Sequence, residues 1–161
     1  MAQYVLGNWY YQGNGCEKNE KKAFVWFKKS AEQGFVDSQC ILGKFYDSGI
    51  GCKQNEKNAF EWYKKAAEQG NANAQCALGT CYFNGSGCEK DKEKGFELYK
   101  KAAEQGDEYA QHNLAVCYLH GDGCEKNEKQ AFEWGKKAAE QGDTASQTLL
   151  GLWYKLGVGC K

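Results

Sequence analysis

Nine cysteines and two histidines carry the chemistry for nucleophilic attack, metal ligation or cross-linking, and the cysteines recur regularly. Five of them, Cys16, Cys52, Cys88, Cys124 and Cys160, each close a Gly-x-Gly-Cys segment and stand 36 residues apart. The other four are Cys40, Cys76, Cys81 and Cys117. A thiolate attacks a carbonyl when a histidine base lies within reach, ligates zinc, or joins another thiol in a disulfide. Only His112 and His120 can serve as imidazole bases, and both lie in one stretch. Five equivalent cysteines suit a structural role better than that of a nucleophile. The cluster Cys76, Cys81, Cys88, His112, Cys117 and Cys124 contains one Cys-x4-Cys spacing, Cys76 with Cys81, on a helical segment and without the second such pair of a structural zinc site, so no metal site and no cofactor is expected.

The same 36-residue spacing organises the whole chain. Residues 2–37, 38–73, 74–109 and 110–145 align without gaps, and a partial fifth unit fills 146–161. Each unit opens with a segment such as 74–82, whose Leu78 and Tyr82 fall four apart on one helical face. This is helix A. The paired glycines of Gly-x-Gly-Cys then stop it by allowing positive φ. No strand precedes that loop and no Lys-Ser/Thr follows it, which leaves a turn rather than a phosphate cradle. Helix B comes next. In residues 56–70, Ala59, Phe60, Trp62, Tyr63, Ala66 and Ala67 form the apolar stripe, and Gly70 supplies the cap. Neither helix can bury its stripe alone, so stacked pairs must share a continuous core. The small residues at Gly7, Gly43, Gly79, Ala115 and Gly151 permit close approach, and aromatics fill the space between layers.

Composition removes several classes of function. All 21 basic residues are Lys, balanced by 21 acidic ones, so no cationic surface exists for nucleic acid. No run approaches the about 18 apolar residues of a membrane span, and the N-terminus lacks a signal-peptide pattern. The repeat runs to both ends, so the chain reads as a module of a longer array and, as this module, as a monomer. The Lys pairs 28–29, 64–65, 100–101 and 136–137 read as a solvated ridge balanced by glutamates one turn away.

Two readings of the cysteines stay open beside metal. In one they are small buried hydrophobes. In the other they form disulfides, because each loop cysteine has one candidate mate: Cys16 with Cys40, Cys52 with Cys76, Cys81 with Cys88 and Cys117 with Cys124. Cys160 is then left over. Disulfides would place the protein in an oxidising, extracellular setting, and thiols in a reducing, cytoplasmic one.

The pattern Ala-Gln-x-x-Leu-Gly-x-x-Tyr-x-x-Gly-x-Gly, followed by Ala-Phe-x-Trp-Tyr-Lys-Lys-Ala-Ala-Glu-Gln-Gly, closely resembles the Sel-one-like repeat, a relative of the tetratricopeptide repeat. The likeness covers essentially the whole chain. It implies an all-α, right-handed α/α superhelical solenoid of antiparallel helix pairs with a 36-residue repeat. It also implies a concave face, lined by helix A, that holds proteins or peptides, and it implies no catalytic residues. Cysteine after Gly-x-Gly departs from the aliphatic residue usual in that family.

Residues that vary between units while sharing one face of helix A are the candidate contacts. They are Tyr4, Asn8 and Tyr11; Lys44 and Asp47, beside Cys40; Thr80 and Phe83, beside Cys76; His112, Val116 and Leu119; and Thr148, Leu152 and Lys155. Tyr11, Phe83 and Leu119 are the expected anchors, and Lys44, Asp47 and Lys155 the expected steering charges. The expected function is a non-catalytic scaffold for a protein or peptide, including a version that docks small secreted domains such as enzymes. The alternative from another class is a Cys/His-dependent hydrolytic or thiol enzyme.

Overall fold

The B helices begin where a side chain can satisfy the first free N–H groups. Asn19, Asn55, Asp91 and Asn127 each accept a hydrogen bond from the backbone N–H three residues on, at 2.9–3.0 Å. The A helices end where glycine takes the left-handed conformation: Gly13, Gly49, Gly121 and Gly157 have φ of 70–80°. The computed structural model describes residues 1–157 and contains, among them, nine α-helices and no strand. The A helices are α1 (Ala2–Gln12), α3 (Val36–Ser48), α5 (Ala72–Asn84), α7 (Glu108–His120) and α9 (Thr144–Leu156). The B helices are α2 (Glu20–Glu32), α4 (Glu56–Glu68), α6 (Lys92–Glu104) and α8 (Glu128–Glu140). None is long and apolar enough to cross a membrane.

Two compact units divide the chain. The first comprises Met1–Ala74 with Ser86–Glu89, and the second Gln75–Gly85 with Lys90–Lys161. In the first, α1 packs on α2, α2 on α3 and α3 on α4. Its core is built on Phe27 and Phe45, stacked edge to face at 5.3 Å and both nearly inaccessible. Burying such a ring contributes about 1.5–3 kcal/mol. In the second unit, α6 packs on α7, α7 on α8 and α8 on α9, around Ala115, Ala131 and Trp153. An aromatic ladder recurs in both. Phe24 meets Tyr46, Phe96 meets Tyr118 and Phe132 meets Tyr154, each near perpendicular at 5.3 Å.

The volume between layers is held constant by exchanging large and small residues. Phe27 of α2 faces Phe45, and Tyr99 of α6 lies beside the smaller Cys117. At the equivalent place in α8 stands Gly135, and the Trp153 ring fills the space a side chain would occupy there. The second glycine of the loops after α3, α5 and α7 serves close approach of another kind. A Cβ on Gly51 would overlap the Glu20 carbonyl, and one on Gly123 would overlap that of Lys92. The loop therefore rests on the first turn of the preceding B helix with no room for a side chain.

Glutamines tie the layers with polar bonds. Gln39, Gln111 and Gln147 donate to the carbonyls of Ala31, Ala103 and Ala139, at 3.2–3.3 Å. The Oε1 atoms of Gln39, Gln75 and Gln111 accept from Gln69, Gln105 and Gln141, all at 2.7 Å. The amides thus satisfy carbonyls near helix ends that burial would otherwise leave exposed to loss.

Two expectations are corrected here. The eight described cysteines are thiols, and no pair lies at disulfide distance, so Cys16–Cys40, Cys52–Cys76, Cys81–Cys88 and Cys117–Cys124 are not bridges. The reason is local where the thiol's bond is resolved. The Sγ atoms of Cys16 and Cys52 turn back onto the Trp9 and Phe45 carbonyls of their own A helices, each at 3.5 Å. Those carbonyls already accept from Gly13 and Gly49, so the thiol reinforces the helix end. Cys76, Cys81 and Cys117 are buried filler. Cys160 lies outside the described residues. The second correction concerns Trp62, which is only half-buried and carries the Lys65 ammonium 4.2 Å from its ring centre. Lys29 on Trp26 and Lys137 on Trp134 repeat the arrangement at 4.6 and 4.0 Å. Among the ridge lysines, Lys28 and Lys136 lie 4.0 and 3.8 Å from Glu32 and Glu140.

Candidate functional site

In the first unit the candidate face has an apolar base and a charged edge. Tyr4 packs against Phe27 and Phe35 at 6.0 and 5.0 Å, and Tyr11 against Phe45 at 5.2 Å. Asn8 donates its amide to the Tyr4 carbonyl at 3.3 Å. These three side chains are half-buried, as is Cys40. Lys44 and Asp47 are exposed and lie three residues apart on α3.

The second unit presents a more apolar surface. Thr80 is exposed and its hydroxyl lies 3.0 Å from that of Tyr99, while Cys76 is buried. Phe83 is not a free anchor. Its ring stacks on Tyr99 at 5.2 Å and covers Gly95, where any Cβ would strike it. Leu119 likewise leans on the core around Trp153. Val116 is half-buried, Leu152 is 48% exposed, and Thr148 and Lys155 are exposed. Sequence spacing alone does not separate the residues packed inward, such as Phe83 and Leu119, from exposed ones such as Lys44 and Leu152.

His112 is engaged within the layer. Its Nδ1 lies 2.8 Å from the buried Ser146 hydroxyl and 3.3 Å from Asp143 Oδ2. Asp143 also accepts from the Ser146 backbone N–H at 2.6 Å, capping α9. A hydrolytic triad needs the acid and the nucleophile on different ring nitrogens, whereas both partners here meet Nδ1. The trio is therefore a cap. Burial, which would raise the Asp143 carboxyl, is outweighed by the Ser146 hydrogen bonds and the adjacent His112, which together lower it.

The thiols are poorly suited to nucleophilic work. Burial, then Cys124 and Asp122, push Cys117 up to about 12, and burial also raises Cys52 and Cys124. Among the described residues no group of three or more His, Cys, Asp and Glu could hold a metal ion. A cleft of about 530 Å³ opens at the loops of the first unit, lined by Lys18, Asn19, Glu20, Lys21, Gly49, Gly51 and Cys52. It contains no histidine, and the Lys18 ammonium at its edge lies 5.7 Å from the ring centre of Tyr11.

The Sel1 repeat matches residues 1–35, 36–71, 72–107 and 108–143. A crystal structure of a protective antigen present in uropathogenic Escherichia coli strains, displaying an SLR fold, is 37% identical with a TM-score of 0.91. The match covers 98% of this chain and 34% of that one. A Sel1 repeat protein from Oxalobacter formigenes has the same identity and TM-score over 98% of this chain and 63% of its own. The chain thus spans less than two thirds of either. Cysteine-rich protein B of Helicobacter pylori is 32% identical, with a TM-score of 0.64, over 81% of this chain and 96% of its own. No curated protein matches the chain. Phased repeats, paired helices and these likenesses fix the fold as an all-α solenoid, and the chain belongs to the Sel1 repeat family.

Proposed function

We propose that the protein is a non-catalytic interaction scaffold that holds a segment or small domain of another protein on the variable face of its A helices. Sel1 repeat proteins generally serve as interaction scaffolds, and a protein partner is the common theme. The observation that carries the reading is the contrast along this face. Its neighbours in sequence are fixed by packing, while Lys44, Asp47, Thr148, Leu152 and Lys155 are exposed and differ from unit to unit. A mixed surface of this kind suits a partner with an apolar centre and a polar rim.

The thiol-enzyme alternative has little chemistry behind it, since the resolved shifts of its thiols are upward and His112 is committed to a cap. The reading of a secreted docking module rested on disulfides and loses that support. Selection of ligands from a displayed peptide library tests the scaffold reading. Binders should weaken at least about tenfold with Val116→Glu or Lys44→Glu, each checked for retained helicity, and should be unaffected by Lys21→Glu at the loop cleft. Binders indifferent to both face variants would overturn it.

A further inference from the structure

Three steps in the chain join asparagine or aspartate to glycine, and the backbone treats each differently. They are Asn14 to Gly15, Asn84 to Gly85 and Asp122 to Gly123. Glycine after an asparagine leaves the peptide nitrogen sterically free to attack the side-chain carbonyl and close a cyclic imide. That nitrogen must first lose its proton, so a hydrogen bond held by the N–H opposes the reaction. The backbone must also swing the nitrogen toward the side-chain carbon, which the helical ψ does not allow.

Two of the three steps are restrained. Asn84 is the last residue of α5, and the Gly85 N–H donates to the Cys81 carbonyl at 2.8 Å. Closing an imide there requires the helix end to come apart. Asp122 lies in the loop after α7, where its Oδ1 accepts from the Lys92 ammonium at 2.5 Å. A clamped, ionised carboxylate is a poor target for the nitrogen and is not free to turn toward it. Asn14 carries neither restraint. It follows the end of α1, its Nδ2 donates to the exposed Gln12 side chain at 2.7 Å, and the Gly15 N–H donates to nothing among the described residues. Gly51 and Gly123 rest on a preceding B helix, and their N–H groups likewise donate to nothing among the described residues. The free N–H therefore belongs to the loop itself and not to its place in the chain.

We infer that Asn14 and Gly15 form a self-modification site at which the folded protein deamidates, with water as the co-reactant. The Gly15 nitrogen bonds to Asn14 Cγ, the bond from Cγ to Nδ2 breaks, and ammonia leaves with the proton that Gly15 gave up. Water then opens the imide at either carbonyl and leaves aspartate or isoaspartate, with no change of oxidation state. Either product turns a neutral side chain anionic. Isoaspartate also routes the chain through the side-chain carbon, which adds one backbone atom between Gly13 and Cys16. The Gly13 N–H and the Cys16 Sγ both bond to the Trp9 carbonyl, at 2.8 and 3.5 Å, so the longer loop loosens the end of α1. The site is independent of the scaffold reading.

The full chain is incubated near neutral pH, native and in guanidinium chloride, and peptide mapping by mass spectrometry counts aspartyl and isoaspartyl products at residues 14 and 84. Each site is compared with itself in the unfolded chain, so differences of intrinsic reactivity cancel. Asn14 should convert in the native protein within about twofold of its unfolded rate, because no opening step precedes attack. Asn84 should convert at least about threefold more slowly native than unfolded, the effect of one net hydrogen bond. Asn14→Ser should abolish the native product at this loop and leave the slow conversion at Asn84 unchanged. Protection of native Asn14 equal to that of Asn84, or Asn84 converting ahead of Asn14 in the folded chain, would overturn the assignment.

Discussion

Aspartate 143 shows how a single side chain closes a layer. It caps α9 and holds His112, and its carboxyl is lowered despite its burial. The folded value lies below the unfolded one of about 3.9, so its stabilisation is complete above that value and is lost as pH falls through the folded one. Urea midpoints of the wild type and Asp143→Asn should therefore differ at pH 6, and the difference should shrink as pH falls below about 3.9. A gap constant over that range would assign the capping contribution to something other than charge. None of this was legible in the sequence, where His112 read as a groove residue. Its partners come from a segment more than thirty residues away, and only the packing of α7 on α8 and α8 on α9 brings them to one ring nitrogen.

Helix starts and stops, by contrast, follow from local signals. The polar residue before each B helix and the glycine after each A helix mark the observed ends, because capping needs only neighbours in sequence. Asn55→Ala should lower stability by about 1 kcal/mol in chemical denaturation, and Asn55→Asp should nearly restore it. Equal loss in both would mean that the Asn58 N–H does not depend on a side-chain acceptor. The apolar stripe of α4 was also readable, except for Trp62. Helical periodicity places that ring near the stripe's edge, and the Lys65 stem and ammonium cover it from the solvent side. The glutamine ladder escaped notice for a different reason. Its members are thirty residues apart, and an amide in a repeated column looks like any tolerated surface residue until the layer is assembled.

Across the whole molecule, volume explains Cys76, Cys81 and Cys117, and helix-end hydrogen bonding explains Cys16 and Cys52. Alkylation in denaturant without reductant should modify all eight described cysteines, and peptide maps should contain no disulfide-linked pair among them. A mapped Cys117–Cys124 bridge in freshly purified protein would contradict the structure. The repeat length and fold class were fully readable, because one period governs every column. The exchange of bulk between columns was not, since each column alone shows only an irregular choice among Phe, Tyr, Cys, Gly and Trp. That exchange has a genetic consequence. Units of equal length can be duplicated, lost or shuffled by unequal crossing over without breaking the backbone register, but Gly135 and Trp153 occupy one volume from two different units. A crossover between them that supplied a tyrosine opposite Trp153 would force two rings together, and one that supplied a cysteine opposite Gly135 would leave a hole. The breakpoints this gene tolerates are therefore unevenly spaced, and those two codons are expected to be inherited as a linked pair.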